Sequence, residues 1–340
     1  MKRLWLRIRA FVARAFARLL RREVAPGRFE TGRAASWRGR VTTAPIAEPA
    51  RDYLVYVPRG WSRWRRAPLL VLCHGCRQTA EEFAALTRIA ERADRDGCLV
   101  LLPRQTTTAN AWGCWNWFEA NTERGAGEAA IVAAQVVAVR RHYRARRERV
   151  WVAGISSGGA LAAVLGLRHP RLVRGVVVHS GLACGAAASA ATALAVMRHG
   201  PDNDVARVGA DARAAQRDDP PLAVALLAIQ GDRDDVVAPI NGAGLVAQYL
   251  RFNAHPAGDA GYRPAAALPP SDASSRESSG DGYPTRSDDW SVGGHVVVRH
   301  VAVEGLGHAW SGGDAAFPYA DPRGPDALDL LARFATNAAA

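Results

Sequence analysis

The chain is short of several things. Only two of its 340 residues are methionine and five are cysteine. An odd cysteine count leaves at least one thiol unpaired within a monomer. Cys73 and Cys76 form a lone C-x-x-C, with no second such pair and no His-x-x-x-His to complete a ligand set. That spacing predicts neither a metal site nor a redox site. No apolar run is both long and uncharged enough to span a bilayer, and no internal repeat is evident. Carboxylates are almost absent from the first 40 residues, where Lys2 and eleven arginines stand against Glu23 and Glu30, a net of +10. The whole chain carries +12, which leaves +2 for the other 300 residues. The basic character therefore reads as a property of the tail, and no nucleic-acid partner is expected of the body.

The tail itself has a pattern. In "LWLRIRAFVARAFARLL", Leu4, Ile8, Phe11, Val12, Ala15 and Leu19 recur at helical spacing, with Arg7, Arg14, Arg18 and Arg21 on another face. Residues 1–23 thus read as a basic amphipathic helix. Arginines interrupt it where a secretory signal would be uncharged, so no cleavable signal peptide is readable. Two uses fit the pattern: an interfacial helix on an anionic membrane surface through residues 1–22, or a solvated helix resting loosely on the body. Residues 24–50, rich in Ala, Gly, Pro and Arg, read as a linker.

Residues 51–340 read as one domain. Strand-like runs recur at 52–58, 69–73, 98–103, 149–154, 175–180, 223–230 and 295–305. Several are continuously apolar, as expected of strands buried on both faces. Helical stretches at 80–95, 126–142, 160–168, 243–252 and 325–335 separate many of them. This alternation predicts an α/β fold, a mostly parallel sheet with helices on both faces. Residues 254–294 are rich in Pro, Ser, Asp and Gly and poor in aliphatics, so they read as a long irregular surface excursion.

The sharpest signal is "VAGISSGGA". A strand-like run ends in Gly154-Ile155-Ser156-Ser157-Gly158, and a helix-prone run follows at once. This is the G-x-S-x-G pattern in which a strained strand-to-helix turn exposes a nucleophilic serine, here Ser156. Glycines on either side allow close packing, and the helix start brings backbone N–H groups to a developing oxyanion. A serine hydroxyl needs a base, and the base an acid, in chain order Ser, Asp, His. "LLAIQGDRDDVV" supplies Asp232, Asp234 and Asp235 after a buried strand. "VAVEGLGHAWSGG" supplies His308 after another. Ser156, Asp234 and His308 each fall on a loop at the carboxyl end of a strand, where α/β sheets place their sites. Asp232 suits a turn-forming role. The oxyanion donors predicted are the N–H of Ser157 and that of Cys76, in the His74-Gly75-Cys76 loop after an early strand.

Taken together, "LCHGCRQTAEEF" (72–83), "GCWNWFE" (113–119), "RGAGE" (124–128), "GISSGG" (154–159), "HSGLACGAA" (179–187), "QGDRDDVV" (230–237) and "GLGHAWSGG" (305–313) resemble the polyhydroxybutyrate depolymerase family of esterases. That family is related to feruloyl and acetylxylan esterases, and the resemblance covers roughly residues 50–335. It implies an α/β-hydrolase fold, Ser156 as nucleophile, Asp234 as acid and His308 as base, with no metal or cofactor. It implies a small or polymeric ester as substrate, and an extracellular protein where the sequence alone leaves cytoplasmic or membrane-associated placement open. His74, Trp115, Trp117 and Trp310 are the candidate substrate-binding residues, although tryptophans fill cores as readily as pockets. An acyltransferase using the same triad, and a non-catalytic membrane-binding protein on the same fold, are the rival readings. Secreted polymer-degrading members usually carry a signal peptide and an added binding domain, and neither is readable here.

Overall fold

The computed structural model describes residues 25–34, 50–263, 267–278 and 281–338. The amphipathic stretch 1–23 lies outside the described residues. Ten strands form one sheet in the order β1-β2-β4-β3-β5-β6-β7-β10-β9-β8. They are β1 (Arg28–Ala34), β2 (Arg51–Val57), β3 (Leu69–Cys73), β4 (Leu99–Pro103), β5 (Val150–Ile155), β6 (Gly175–His179), β7 (Ala225–Gly231), β8 (Ala273–Glu277), β9 (Thr285–Val292) and β10 (His295–Val303). The six strands from β4 to β10 in that order run parallel. Antiparallel pairs flank them on both sides, β1 and β2 at one edge and β9 and β8 at the other.

The helices are α1 (Ala80–Leu86), α2 (Ile89–Asp96), α3 (Ala120–Glu123), α4 (Gly127–Tyr143), α5 (Ser157–Arg168), α6 (Ala190–His199), α7 (Val205–Ala214), α8 (Ile240–Phe252) and α9 (Ala327–Asn337). They cover both faces because the central strands are apolar on both. In β3, Leu69, Val71 and Cys73 join one core with α4, α5 and α8, while Leu70 and Leu72 join the other with α1, α2 and α9. A side-chain period of two divides "LLVLC" between two cores, and a single period-2 reading of one face would have missed it.

Three expectations are corrected. The stretch read as a linker contains β1, a strand that pairs with β2 along its whole length from Arg28↔Val57 to Ala34↔Arg51. Its sequence, RFETGRA, is half-exposed and carries no aliphatic run, so it gave no hydrophobic signal. The excursion at 254–294 contains a 3₁₀ turn, β8 and β9. It extends the sheet with polar strands whose one fully buried large side chain is Trp290. The single helix expected over 80–95 is two, because Arg88 adopts left-handed backbone (φ 50°) and Thr87 closes α1.

Candidate active site

β5 ends at Ile155 and Ser156 follows with φ 55°, ψ −122°, before α5 begins at Ser157. A non-glycine residue held at positive φ is strained, and such strain persists only where packing fixes it. The packing here is unusually close. A Cβ at Gly158 would lie 2.3 Å from the Cys73 carbonyl oxygen, and one at Gly154 would lie 2.4 Å from the Gly158 backbone. Both positions therefore admit only glycine. The close approach presses the loop after β3 against the start of α5.

That contact builds the wall on which the two predicted oxyanion donors sit. Cys76 and Ser157 adjoin, with Ser157 Oγ 3.4 Å from Cys76 Sγ. Gly75 N–H donates to Gln78 Oε1 at 2.8 Å, and Arg77 N–H donates to the Trp112 carbonyl at 2.8 Å. Cys76 is bonded to Cys114 in a disulfide that sequence reading did not find. It ties the loop after β3 to the 106–117 loop. Behind that loop, the buried Glu128 accepts hydrogen bonds from Asn116 N–H (2.6 Å) and Gln105 Nε2 (2.6 Å) and pairs with Arg51 at 3.0 Å. Glu128 is the hub of the wall, and Trp112 stands exposed on its rim with the Arg77 guanidinium 4.6 Å over its ring.

Asp234 and His308 meet across 74 residues. His308 Nδ1 lies 2.9 Å from Asp234 Oδ2 and 3.1 Å from Oδ1. Asp234 is 4% exposed. Burial pushes its carboxyl up, but the hydrogen bond and charge of His308, the Val237 N–H and the Ser180 hydroxyl outweigh it. The carboxyl is held below its usual range. Gln230 Nε2 (3.3 Å) and the Val236 N–H (3.1 Å) complete the cradle. Asp232 instead accepts the Gly305 N–H at 2.6 Å, so it splices the β7 turn to the loop that carries His308.

Ser156 and His308 are joined through β6. Ser156 N–H donates to the His179 carbonyl at 3.0 Å, and the His179 ring accepts the Ser311 N–H at 3.1 Å. Among the described residues Ser156 makes no side-chain hydrogen bond with His308, and catalytic hydrogen bonds of this kind often tighten only around substrate. His179 is fully buried, which lowers its pKa to about 3 and keeps the ring neutral. Because Nε2 receives an N–H, the ring proton sits on Nδ1, which donates to Ser180 Oγ at 3.2 Å. Ser180, at φ 47°, in turn bonds Asp234. In sequence, His179 stands only at the head of the block HSGLACGAA, with no role assigned to it. Its position at the end of a strand, next to "SG", was the available signal.

The four candidate substrate-binding residues are all indoors. His74 is 1% exposed, Trp115 0%, Trp117 3% and Trp310 1%. His74 Nδ1 donates to the Gly75 carbonyl at 2.8 Å, and Trp115 Nε1 donates to the His74 carbonyl at 3.0 Å. Trp310 packs edge-on to Phe83 and stacks on His179. In this structure none of the four presents an exposed face. Cys73, the other half of the C-x-x-C, is a buried free thiol. No group of His, Cys, Asp and Glu suited to a metal occurs among the described residues.

A mostly parallel sheet with helices on both faces, and a strained serine at a strand-to-helix turn, define the α/β-hydrolase class. The acetyl xylan esterase from Aspergillus awamori superposes with a TM-score of 0.62 at 17% identity, covering 83% of this chain and 94% of that one. A family model, Esterase PHB depolymerase, matches residues 51–267, and the chain belongs to that family. The matched span includes Ser156 and Asp234 and ends before His308. The poly(3-hydroxyalkanoate) depolymerase C of Paucimonas lemoignei is 29% identical over 201 residues, 58% of this chain and 47% of that protein. Feruloyl esterase B of Neurospora crassa is 32% identical over 126 residues, 36% of this chain and 43% of that protein. The chain spans about half the length, or less, of these curated relatives.

Proposed function

We propose that the chain is a serine carboxylic ester hydrolase acting through Ser156, His308 and Asp234. The observation that carries the reading is the pair formed by His308 and the buried Asp234, connected through Ser180 and His179 to the backbone N–H of a serine held at φ 55° where a parallel strand turns into a helix. Ser156 Oγ attacks the ester carbonyl carbon while His308 Nε2 takes its proton. The carbonyl oxygen becomes an oxyanion that accepts from the N–H groups of Cys76 and Ser157. The intermediate collapses, the C–O bond to the alcohol breaks, and His308 returns its proton to the departing alkoxide. Water, deprotonated by His308, then attacks the acyl-enzyme; the acid leaves and Ser156 regains its proton. Asp234 holds the imidazole tautomer and balances the imidazolium charge.

The family match and the depolymerase relatives support hydroxyalkanoate oligomers or polymer as the substrate class. The feruloyl esterase relative supports a feruloyl ester as the second reading. The exposed Trp112 and its stacked Arg77 form the rim such a substrate meets first. The Cys76–Cys114 disulfide supports an oxidising, extracellular compartment. Ser156→Ala should lower turnover of a short-chain aryl ester by on the order of 10⁶ while leaving thermal unfolding unchanged, as for nucleophile loss in other triad hydrolases. Near-normal turnover in that variant overturns the assignment. Product analysis with added alcohol separates hydrolysis from acyl transfer.

A further inference from the structure

Counted along the chain, residues 41–340 are close to neutral at +2. Placed in the fold, they are not. "RGWSRWRR" (59–66) carries Arg59, Arg63, Arg65 and Arg66 and no carboxylate. "RRHYRARRER" (140–149) carries Arg140, Arg141, Arg144, Arg146, Arg147 and Arg149 against Glu148 alone. Eighty residues apart in sequence, the two segments are neighbours in space. Arg146 N–H donates to the Ala67 carbonyl at 2.9 Å, and Arg146 Nε donates to the Arg66 carbonyl at 2.9 Å. Together they hold +9, which leaves −7 for the rest of residues 41–340. The positive charge of the body is concentrated on this one surface.

The cluster is not neutralised internally. Among the described residues none of the ten guanidinium groups lies within ion-pair distance of a carboxylate, although twelve other arginines do. The nearby acids are engaged elsewhere: Asp94 accepts the Arg59 backbone N–H, and Glu30 pairs with Arg28. Eight of the ten arginines are exposed. Arg140 Nε is buried without a hydrogen-bond partner. Trp64 stands among them 82% exposed, with Arg63 5.8 Å over its ring.

The location is as telling as the charge. Residues 59–66 follow β2, which runs antiparallel to β4, and residues 140–149 lead into β5. Both therefore lie at the amino-terminal edge of the parallel strands, opposite the loops that bear Ser156, Asp234 and His308. The tail leaves from the same edge, because the Ala25 carbonyl accepts the Gly60 N–H at 3.0 Å. Residues 1–24, which carry +7 and an apolar stripe in sequence, thus join the body beside a +9 surface with an exposed tryptophan.

We propose that this edge docks on an anionic membrane surface, with the 59–66 and 140–149 arginines and Trp64 as the contact. Arginines attract anionic headgroups, and tryptophan settles at the boundary between headgroup and acyl chain. A nucleic acid would satisfy the arginines but would give the apolar stripe of the tail nothing to bury against. Docking through this edge turns the catalytic loops toward solution, about 20 Å away across a six-residue strand. The proposal is independent of which ester is cleaved.

The test is co-sedimentation of the full chain with phosphatidylcholine vesicles, with and without phosphatidylglycerol, at low and high salt. Wild type should bind only the anionic vesicles, and less as salt rises. The combined variant Arg63→Glu, Arg65→Glu, Arg66→Glu should bind at least about 10-fold more weakly. The neutral pair Arg144→Gln, Arg147→Gln should weaken binding in the same direction and guards against misfolding of the reversal variant. Trp64→Ser should weaken binding with the salt dependence unchanged. Binding by the arginine variants equal to wild type assigns attachment to the tail alone and overturns the proposal. So does failure of wild type to bind, or duplex DNA displacing the protein from vesicles.

Discussion

The two edges of one sheet have been put to opposite uses. At the carboxyl edge the buried carboxylates are matched: Asp234 has His308, Ser180 and three further hydrogen-bond donors around it, and Glu128 has Arg51. At the amino edge the two segments hold ten arginines and one carboxylate, and burial with the charges of Arg147 and Arg141 lowers the pKa of Arg140. Internal matching holds groups in place for a reaction. Unmatched charge points outward and awaits something of opposite sign. The difference teaches that a site completed within the chain can be recognised from the chain, whereas a surface completed by a partner shows itself as a deficit.

The largest effect that sharpens this contrast is at the carboxyl edge. Asp234→Asn should cost about 10⁴ in kcat, because the amide favours the wrong imidazole tautomer. Asp232→Asn should cost far less, since its carboxylate only splices Gly305 to the β7 turn. Parallel kinetics and thermal unfolding of the two variants decide the ranking. A reversed order moves the acid two residues upstream.

Acid should damage the fold at both edges, which would break any idea that the two differ in stability. His179 sits under the triad, His169 ends α5 at its far end, and His300 lies in β10. All three are fully buried, and desolvation lowers their pKa values to about 3, about 4 and about 4. Nδ1 of His169 and of His300 has no partner. A histidine with a lowered folded-state pKa stabilises fully above its unfolded value near 6.5, and that stability is lost as pH falls toward the folded value. Each contributes at most on the order of 3 to 5 kcal/mol between the unfolded and folded values. The thermal midpoint should therefore fall steadily from pH 7 to pH 4. A flat profile across that range contradicts the burial.

The carboxyl edge was legible in the sequence because its chemistry needs small residues at fixed places. Gly154, Ser156 and Gly158 have to fall at alternate positions for the turn to close, and Asp234 and His308 have to lie on loops that follow strands. What went unread needed a third dimension. Cys76 and Cys114 are 38 residues apart, and pairing among five cysteines has no sequence signature. β1 and β8 are polar edge strands that lack aliphatic alternation. The sequence left the tryptophans open between cleft and core, since a tryptophan's sequence context does not say which way it faces, and Trp115, Trp117 and Trp310 are buried. The basic edge vanished because summing charge along residues 41–340 averaged +9 against −7.

Removing the disulfide comes next in size. Cys114→Ser should destabilise by about 3–4 kcal/mol in the chain-entropy account of a 38-residue crosslink. It should also lower kcat more than it raises KM, because the loop holding the Cys76 N–H loses its tether while the rest of the cleft remains. Denaturant unfolding and steady-state kinetics on one preparation give both numbers. Unchanged kcat with reduced stability would show that the crosslink serves the fold only, and would detach Cys76 from the oxyanion.

The smallest effect is at the amino edge and has the unusual sign. Burial, then the neighbouring charges of Arg147 and Arg141, lower the pKa of Arg140, so the arginines repel one another in the folded state more than in the unfolded chain. Arg147→Gln removes one of those charges from an exposed position and leaves the packing intact. It should raise stability, within the about 0.5 kcal/mol usual for surface substitutions. The gain should shrink as salt is added, because screening already relieves the repulsion in wild type. Ester turnover should stay at the wild-type level, the catalytic groups lying well beyond the roughly 8 Å reach of an exposed charge at physiological salt. Chemical denaturation at two salt concentrations, with a soluble-ester assay on the same samples, reads all three expectations. A residue that costs stability and leaves turnover untouched is kept for something other than the fold or the reaction. Destabilisation by Arg147→Gln would instead mean that its charge has a partner within the fold, and the two edges would no longer differ in kind.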